Sequence, residues 1–196
     1  MRRVVIGGAR SGAGKTALAC RLLPRLPGWG ALKVSTVDPG GYGLAGDYDI
    51  RIDSTILQRP GSDTARLSQA GAAAVVWLVA ERSALARALP QALDALGPLP
   101  GVLIEGNAAA FALPGAPVLC AVAASDGTLK LGAAPVLARA RWVVVTGPAS
   151  VLTAGLASWR ERLEGDRPAR LRGLALDRDQ DGPWLAEIAG VLRGEA

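Results

Sequence analysis

Lys15 and Thr16 stand together a short way after Gly7 and Gly8, and directly after Gly12 and Gly14. Residues Ala9 to Thr16 read ARSGAGKT, which fits the spacing Ala/Gly-x-x-x-x-Gly-Lys-Ser/Thr. Glycines admit backbone conformations closed to other residues, so several N–H groups can converge on phosphate oxygens. A helical pattern begins at the lysine, and its first turn would add unpaired N–H groups and the positive end of a dipole. On this reading Ser11, Gly12, Ala13 and Gly14 form the cradle, Lys15 reaches the β and γ phosphates, and the Thr16 hydroxyl coordinates Mg²⁺. The chemistry expected of the loop is the holding of a nucleoside triphosphate.

Magnesium in such a site needs an acid from a neighbouring strand end. GVLIEGN supplies Glu105 there, after an apolar run and before a glycine, as a direct or water-mediated metal ligand. The alternative is a strand-end acid paired with an arginine. Asn107 is placed to line the same cleft. Asp38 follows the second apolar run, the position of a residue that senses the γ-phosphate or the metal. Asp63 lies in RPGSDTARLSQAGA, where it either contacts the ligand or joins Ser62 as a candidate cap for the helix running to Ala70. Lys33 is basic at mid-strand, where an unpaired charge is costly, so it is expected to reach the cleft or an acid such as Asp38. Arg10, inside the loop, is the nearest candidate for an arginine finger, and Trp77 reads as core.

The elements that must position these residues alternate between two lengths. Short apolar runs occur at Val4–Gly7, Ala31–Ser35, Ala74–Ala80, Gly101–Ile104, Val118–Ala123, Trp142–Thr146 and Leu171–Leu176. Between them Leu18, Ala19, Leu22, Leu23 and Leu26 make one helical stripe, which Pro24 should kink or end. Leu85, Ala88, Leu89, Ala92, Leu93 and Leu96 make a second; Leu152, Leu156, Trp159 and Leu163 a third; Leu185, Ile188 and Leu192 a fourth. Strands alternating with helices predict an α/β fold, doubly wound, with a mostly parallel sheet covered on both faces. Val37 to Ser62 is long, rich in glycine and aspartate and weakly periodic, with Ile50, Ile52 and Ile56 as candidates for a short edge strand.

A chain of 196 residues, half of them hydrophobic, is expected to form a single domain, residues 1–196. It lacks the roughly 18 consecutive apolar residues of a membrane span, and Val4–Ile6 is too short for a signal-peptide core. The expectation is a cytoplasmic protein with no membrane partner. Cys20 and Cys120 have no C-x-x-C spacing and the chain has no histidine, which argues against zinc or redox chemistry and for two buried free thiols. Residues 1 to 60 carry nine Lys or Arg against four acids, so the basic excess surrounds the glycine loop and suits an anionic ligand. No nucleic-acid partner is expected: 19 arginines against three lysines reflect coding bias, and the aromatic and basic platforms that grip a strand are missing.

Four segments, GGARSGAGKT, GALKVSTVD, RPGSDTARLSQAGAAAVVWL and GVLIEGN, resemble in order and spacing the MobB family of molybdopterin-guanine dinucleotide biosynthesis proteins. The most specific is the third, with Pro-Gly-x-Asp, a short amphipathic helix and an Ala-Gly-Ala entering a strand. The resemblance spans about Arg3 to Thr146. It implies a phosphate-loop α/β domain, homodimers being common in the family, that binds GTP with Mg²⁺ and hydrolyses it weakly at best. It also implies an accessory role in molybdenum cofactor biosynthesis, beside the nucleotidyltransferase MobA or a molybdoenzyme. By that resemblance Lys15 and Thr16 match the phosphate loop, Glu105 the acid of the V-E-G element and Asp63 the acid of P-G-x-D. The histidines that family members often carry after the second strand are missing, and Asn107 stands where Glu-Gly-Phe is commoner.

The base is not written in the sequence. The late strand ends WVVVTGPAS without the N-K-x-D of guanine readers, leaving Thr146, Gly147 or a backbone carbonyl as base contacts and GTP or ATP both open. The alternative function is a small-molecule kinase or ligase using ATP, with WRERLEGDRPARLRG (Arg160, Arg162, Arg167, Arg170 and Arg172) as an arginine-rich lid. That stretch also reads as a solvated helix face followed by a turn.

Overall fold

The computed structural model describes residues 1–39, 41–125, 127–163, 170–178 and 182–195. Its strands are β1 (Arg2–Gly8), β2 (Gly30–Val37), β3 (Tyr48–Arg51), β4 (Val75–Glu81), β5 (Gly101–Glu105), β6 (Val118–Ala123), β7 (Ala140–Gly147) and β8 (Leu171–Ala175). They form one eight-stranded sheet in the order β3-β4-β2-β5-β1-β6-β7-β8. Every neighbouring pair is parallel except β3 with β4. The helices are α1 (Lys15–Leu22), α2 (Ser54–Leu57), α3 (Asp63–Gln69), α4 (Leu85–Asp94), α5 (Asn107–Ala112), α6 (Ala134–Arg139), α7 (Ala149–Arg162) and α8 (Trp184–Arg193).

Side chains alternate across a strand, so a sheet buried on both faces must be apolar at successive positions. Val4 and Ile6 of β1 enter one core while Val5 enters the other. The first core is closed by Leu18 and Leu22 of α1, Leu67 of α3 and Leu185 and Ile188 of α8. The second is closed by Leu85, Leu89 and Leu93 of α4, Ala109 of α5, Val136 of α6 and Trp159 of α7. The fold is therefore α/β and doubly wound, as the alternation predicts. Pro24 acts as expected: α1 stops at Leu22, and Leu23–Arg25 tightens into a 3₁₀ turn.

The long segment after β2 holds the departure from a purely parallel plan. Ile50 lies in the antiparallel edge strand β3 and packs on the core, whereas Ile52 lies beyond it, 64% exposed, and Ile56 belongs to α2. Cys120 is buried, and burial pushes its thiol up to about 12. Cys20 is only partly buried, contrary to expectation, and donates to the Arg66 carbonyl at 3.5 Å. Among the described residues no helix is long and apolar enough to cross a membrane.

β1 lies at the centre between β5 and β6, so its carboxyl end opens into the crevice where open α/β sheets place their ligands. Register sets what meets there: Glu105 is paired with Ile6 on one side and with Lys33 on the other. Gly106 follows with φ 152°, and a Cβ on it would come within 2.6 Å of the Val34 carbonyl oxygen. Gly106→Ala is expected to cost about 2–3 kcal/mol from overpacking against backbone, read as a lower urea midpoint at unchanged slope.

Candidate functional site

The loop between β1 and α1 turns at Gly12 and Gly14, with φ of 73° and 76°. Gly14 must be glycine twice over, because a Cβ there would sit 2.7 Å from the Thr146 hydroxyl oxygen. The first intrahelical bond of α1 runs from the Leu18 N–H to the Gly14 carbonyl. The N–H groups of Lys15, Thr16 and Ala17 therefore have no acceptor within the helix and open toward the cleft. Ala13 is different: it is fully buried, and its N–H donates to the Arg10 carbonyl at 3.4 Å.

Three elements hold the loop from outside. Asn107, at the start of α5, accepts from the Gly8 N–H at 2.8 Å and donates its amide to the Gly8 carbonyl at 2.9 Å. It clamps the end of β1, whereas the sequence placed it in the lining. Thr146, at the end of β7, donates its hydroxyl to the Ala13 carbonyl at 3.0 Å, with the Val122 carbonyl at 3.3 Å. Only 3% exposed, it supports the loop from beneath and is not available as a base contact. The Lys130 N–H closes the third side on the Ala9 carbonyl at 2.8 Å.

At the mouth of the loop four side chains form a closed ring. Thr16 Oγ1 lies 2.8 Å from Asp63 Oδ1 and 3.0 Å from Glu105 Oε2. Lys33 Nζ lies 2.6 Å from Asp63 Oδ2 and 2.6 Å from Glu105 Oε1. Each carboxylate thus uses one oxygen on the hydroxyl and the other on the ammonium. Ser62, not Asp63, caps α3 by accepting from the Ala65 N–H at 3.1 Å. That frees the Asp63 carboxylate, on the first turn, to reach across to Thr16. The partner of Glu105 is a lysine rather than the arginine of the alternative reading, and Lys33 pairs with Asp63 and Glu105 rather than with Asp38.

The ring is one proton short. A hydroxyl has a single hydrogen, so Thr16 can donate to only one of its two carboxylate neighbours, leaving an oxygen–oxygen contact near 3 Å unsatisfied. A hard divalent cation accepts oxygen ligands from a hydroxyl and carboxylates together, and its arrival would turn that contact into shared coordination. Thr16, Glu105 and Asp63 thus fit Mg²⁺ in the chemistry of their donors. Among the described residues no group of three or more His, Cys, Asp or Glu could hold a metal alone, so nucleotide and water oxygens would have to complete the shell.

The charges favour an anion. Burial pulls Lys15 below the ordinary lysine value, with Lys33 and Lys130 adding to the fall and Glu105 opposing it. Among the described residues its ammonium meets only the Arg10 carbonyl, at 3.4 Å, so a polyanion would restore what burial removes. Burial also works against charge on Lys33, but the Glu105 charge and the hydrogen bonds to both acids raise it. Burial works against charge on Asp63 too, and the bond and charge of Lys33 with the Thr16 hydroxyl bring it below the usual carboxylate range.

The signs give a pH prediction. A depressed carboxylate stabilises the fold above its unfolded value near ~4, and this is lost as pH falls through the folded value. A raised lysine stabilises below ~10.4, lost as pH rises through its folded value. The wild-type urea midpoint is therefore expected to fall in acid, as pH drops through the folded value of Asp63. Asp63→Asn should make the acid fall shallower, modestly, since the Asp63 side chain is 41% exposed and screened. An unchanged acid limb would remove Asp63 from the linkage.

The cleft has a volume of about 470 Å³, within the range of small-molecule sites. Of the residues singled out in the sequence, it is lined by Ser11, Gly12, Gly14, Lys15, Thr16, Lys33, Asp63 and Glu105. Ala13 and Asp38 are not in the lining, and Asp38 is exposed at the end of β2. The arginine in the lining is Arg66, one turn after Asp63 on α3, and not Arg10. Its i, i+3 spacing from Asp63 was the available signal. Arg160, Arg162, Arg170 and Arg172 do not line the cleft, and Arg162 donates to the Gly127 carbonyl at 2.7 Å; Arg167 lies outside the described residues.

The chain matches no protein-family model and no curated protein. Among solved structures it is similar to a nucleotide-binding protein of Archaeoglobus fulgidus in complex with ADP, with cobalt found in it. The identity is 13% and the TM-score 0.48, over 99% of this chain and 87% of that one.

Proposed function

We propose that the chain binds a nucleoside triphosphate with Mg²⁺ in the cleft above the Ala9–Thr16 loop. The observation that carries the reading is the Thr16 hydroxyl shared between Asp63 and Glu105 at the first turn of α1. A hydroxyl and two acids from separate elements converge in the cleft beside Lys15, where they would hold Mg²⁺. Lys15 and the free N–H groups take the phosphates.

The nucleotide in this reading is GTP, and the role is that of a cytoplasmic accessory protein in molybdenum cofactor biosynthesis, working as a homodimer with MobA or a molybdoenzyme. Its support is the ordered set of four segments, above all RPGSDTARLSQAGA, whose aspartate joins the ring. Turnover is slow at most. Both acids of the ring are already bonded to Lys33 and Thr16, which leaves neither free to orient a water molecule. The whole chain serves as one nucleotide-binding domain.

A second reading, a small-molecule kinase or ligase using ATP, is favoured by one observation. A second cavity shares Lys33 and Asp63 with the cleft. Competition of GTP and ATP against a fluorescent nucleotide, with and without Mg²⁺, separates the readings. A GTP preference tightened by magnesium supports the accessory protein; an ATP preference moves the function to the kinase or ligase; no displacement by either removes both.

A further inference from the structure

Lys33 of β2, Trp77 of β4 and Arg51 of β3 occupy paired positions across three neighbouring strands. Trp77 is expected in the core from its sequence, but it is only half-buried and faces a cavity of about 190 Å³ beside the ring of Thr16, Lys33, Asp63 and Glu105. Arg51 packs against Trp77 without lining the cavity. Its guanidinium lies 4.6 Å from the centre of the Trp77 ring, bonds Asp49 at 2.7 Å and reaches the Tyr42 carbonyl at 3.4 Å. Tyr42 stands edge-on to Trp77, with ring centres 6.0 Å apart and an angle of 84°.

Two features set Tyr42 apart from a packed core residue. The residue is 65% exposed, and its φ of 57° is the one positive value outside glycine among the described residues. A bulky residue held in that region is costly, and such strain collects at ligand clamps. Asp63 also lines the cavity, but its two oxygens are engaged, one on Thr16 and one on Lys33, and the groups with protons to spare are donors. Lys33 has three N–H donors and uses two, on Asp63 and Glu105. Ser35 Oγ accepts the Trp77 indole N–H at 3.0 Å, which leaves its own proton without an acceptor among the described residues. Ser62 and Thr64, by contrast, bond to the Leu57 carbonyl. Two unused donors and two aromatic rings call for a flat ring system that carries an acceptor-rich, anionic group.

We propose that this cavity is a second binding site, for a small planar aromatic anion whose ring lies against Tyr42 and Trp77 and whose anionic group meets Lys33 and Ser35. The proposal extends the nucleotide reading by placing a second ligand beside the outer end of the triphosphate. The volume admits one or two fused rings and no more.

The test titrates the full chain, saturated with Mg²⁺ and GDP to occupy the phosphate loop, with 2-naphthoate, using ligand-detected NMR and acetate as the ringless control. Saturable binding of 2-naphthoate, no comparable binding of acetate, and at least fivefold weakening in Tyr42→Ala are expected, with GDP affinity within twofold of wild type. Trp77→Leu should weaken it further, and if that variant fails to fold, Tyr42→Ala decides alone because its ring is outside the core. Equal affinity in wild type and Tyr42→Ala, or no saturable binding, overturns the proposal. If GDP does not bind, the nucleotide reading fails by itself. The same titration without nucleotide then judges the cavity on the Tyr42→Ala difference.

Discussion

Lys15→Ala is expected to weaken binding of a magnesium nucleoside triphosphate by about 100-fold or more while leaving the circular dichroism spectrum and urea midpoint close to wild type. The magnitude follows from losing charge-assisted bonds to two phosphates, together about 3 kcal/mol, at about 1.4 kcal/mol per tenfold. The fold should survive because the ammonium has one weak partner among the described residues, the Arg10 carbonyl at 3.4 Å, and burial already disfavours its charge. Removing it relieves a desolvation cost rather than breaking an ion pair. Retained affinity in this variant would mean that the loop does not grip phosphate.

Glu105→Gln has the second-largest expected effect, and its two halves point in opposite directions. Without metal, the amide of glutamine could donate to Thr16 Oγ1, whose own hydrogen would then serve Asp63 alone. The proton shortage of the ring disappears, so affinity for the metal-free nucleotide should stay within about threefold. With Mg²⁺, a buried anionic ligand has been lost, and the tightening that magnesium brings should fall by about tenfold or more. Glu105 is 1% exposed, so water cannot replace its charge cheaply. The measurement is the ratio of nucleotide affinities with magnesium and with EDTA, and a ratio equal to wild type would sink the metal role of Glu105.

The loop and Glu105 were legible from sequence because each is written in a handful of contiguous residues next to an apolar strand. The ring was legible only in parts. Lys33 could be flagged as a charge that needs a partner, but which acid meets it depends on β2 lying beside β5, a neighbour relation decided by the whole sheet. Asp63 and Ser62 were equally good caps on paper, and only the packing of α3 against α1 shows that serine caps while aspartate crosses over. Asn107 and Thr146 act on backbone atoms 99 and 133 residues away, and no local pattern encodes such distances. Trp77 looked like core because its strand is apolar, yet its neighbours on the sheet are Lys33 and Arg51, and it therefore lies at the edge of the cleft. β3 was visible only as scattered isoleucines, since a four-residue antiparallel edge strand carries too short a period to read.

The ring around Thr16 draws its four members from α1, β2, α3 and β5, with sequence separations up to 89 residues. No single element can hold it, so whatever binds there binds strands and helices already assembled. Occupancy then becomes a lock on the fold: a ligand at 100 times its dissociation constant adds about 2.7 kcal/mol against global unfolding. In a cell, where proteases sample the open chain, the lifetime of this protein would rise and fall with the supply of its ligand. With the ligand proposed above, its abundance would follow nucleotide and magnesium levels even in the absence of any turnover.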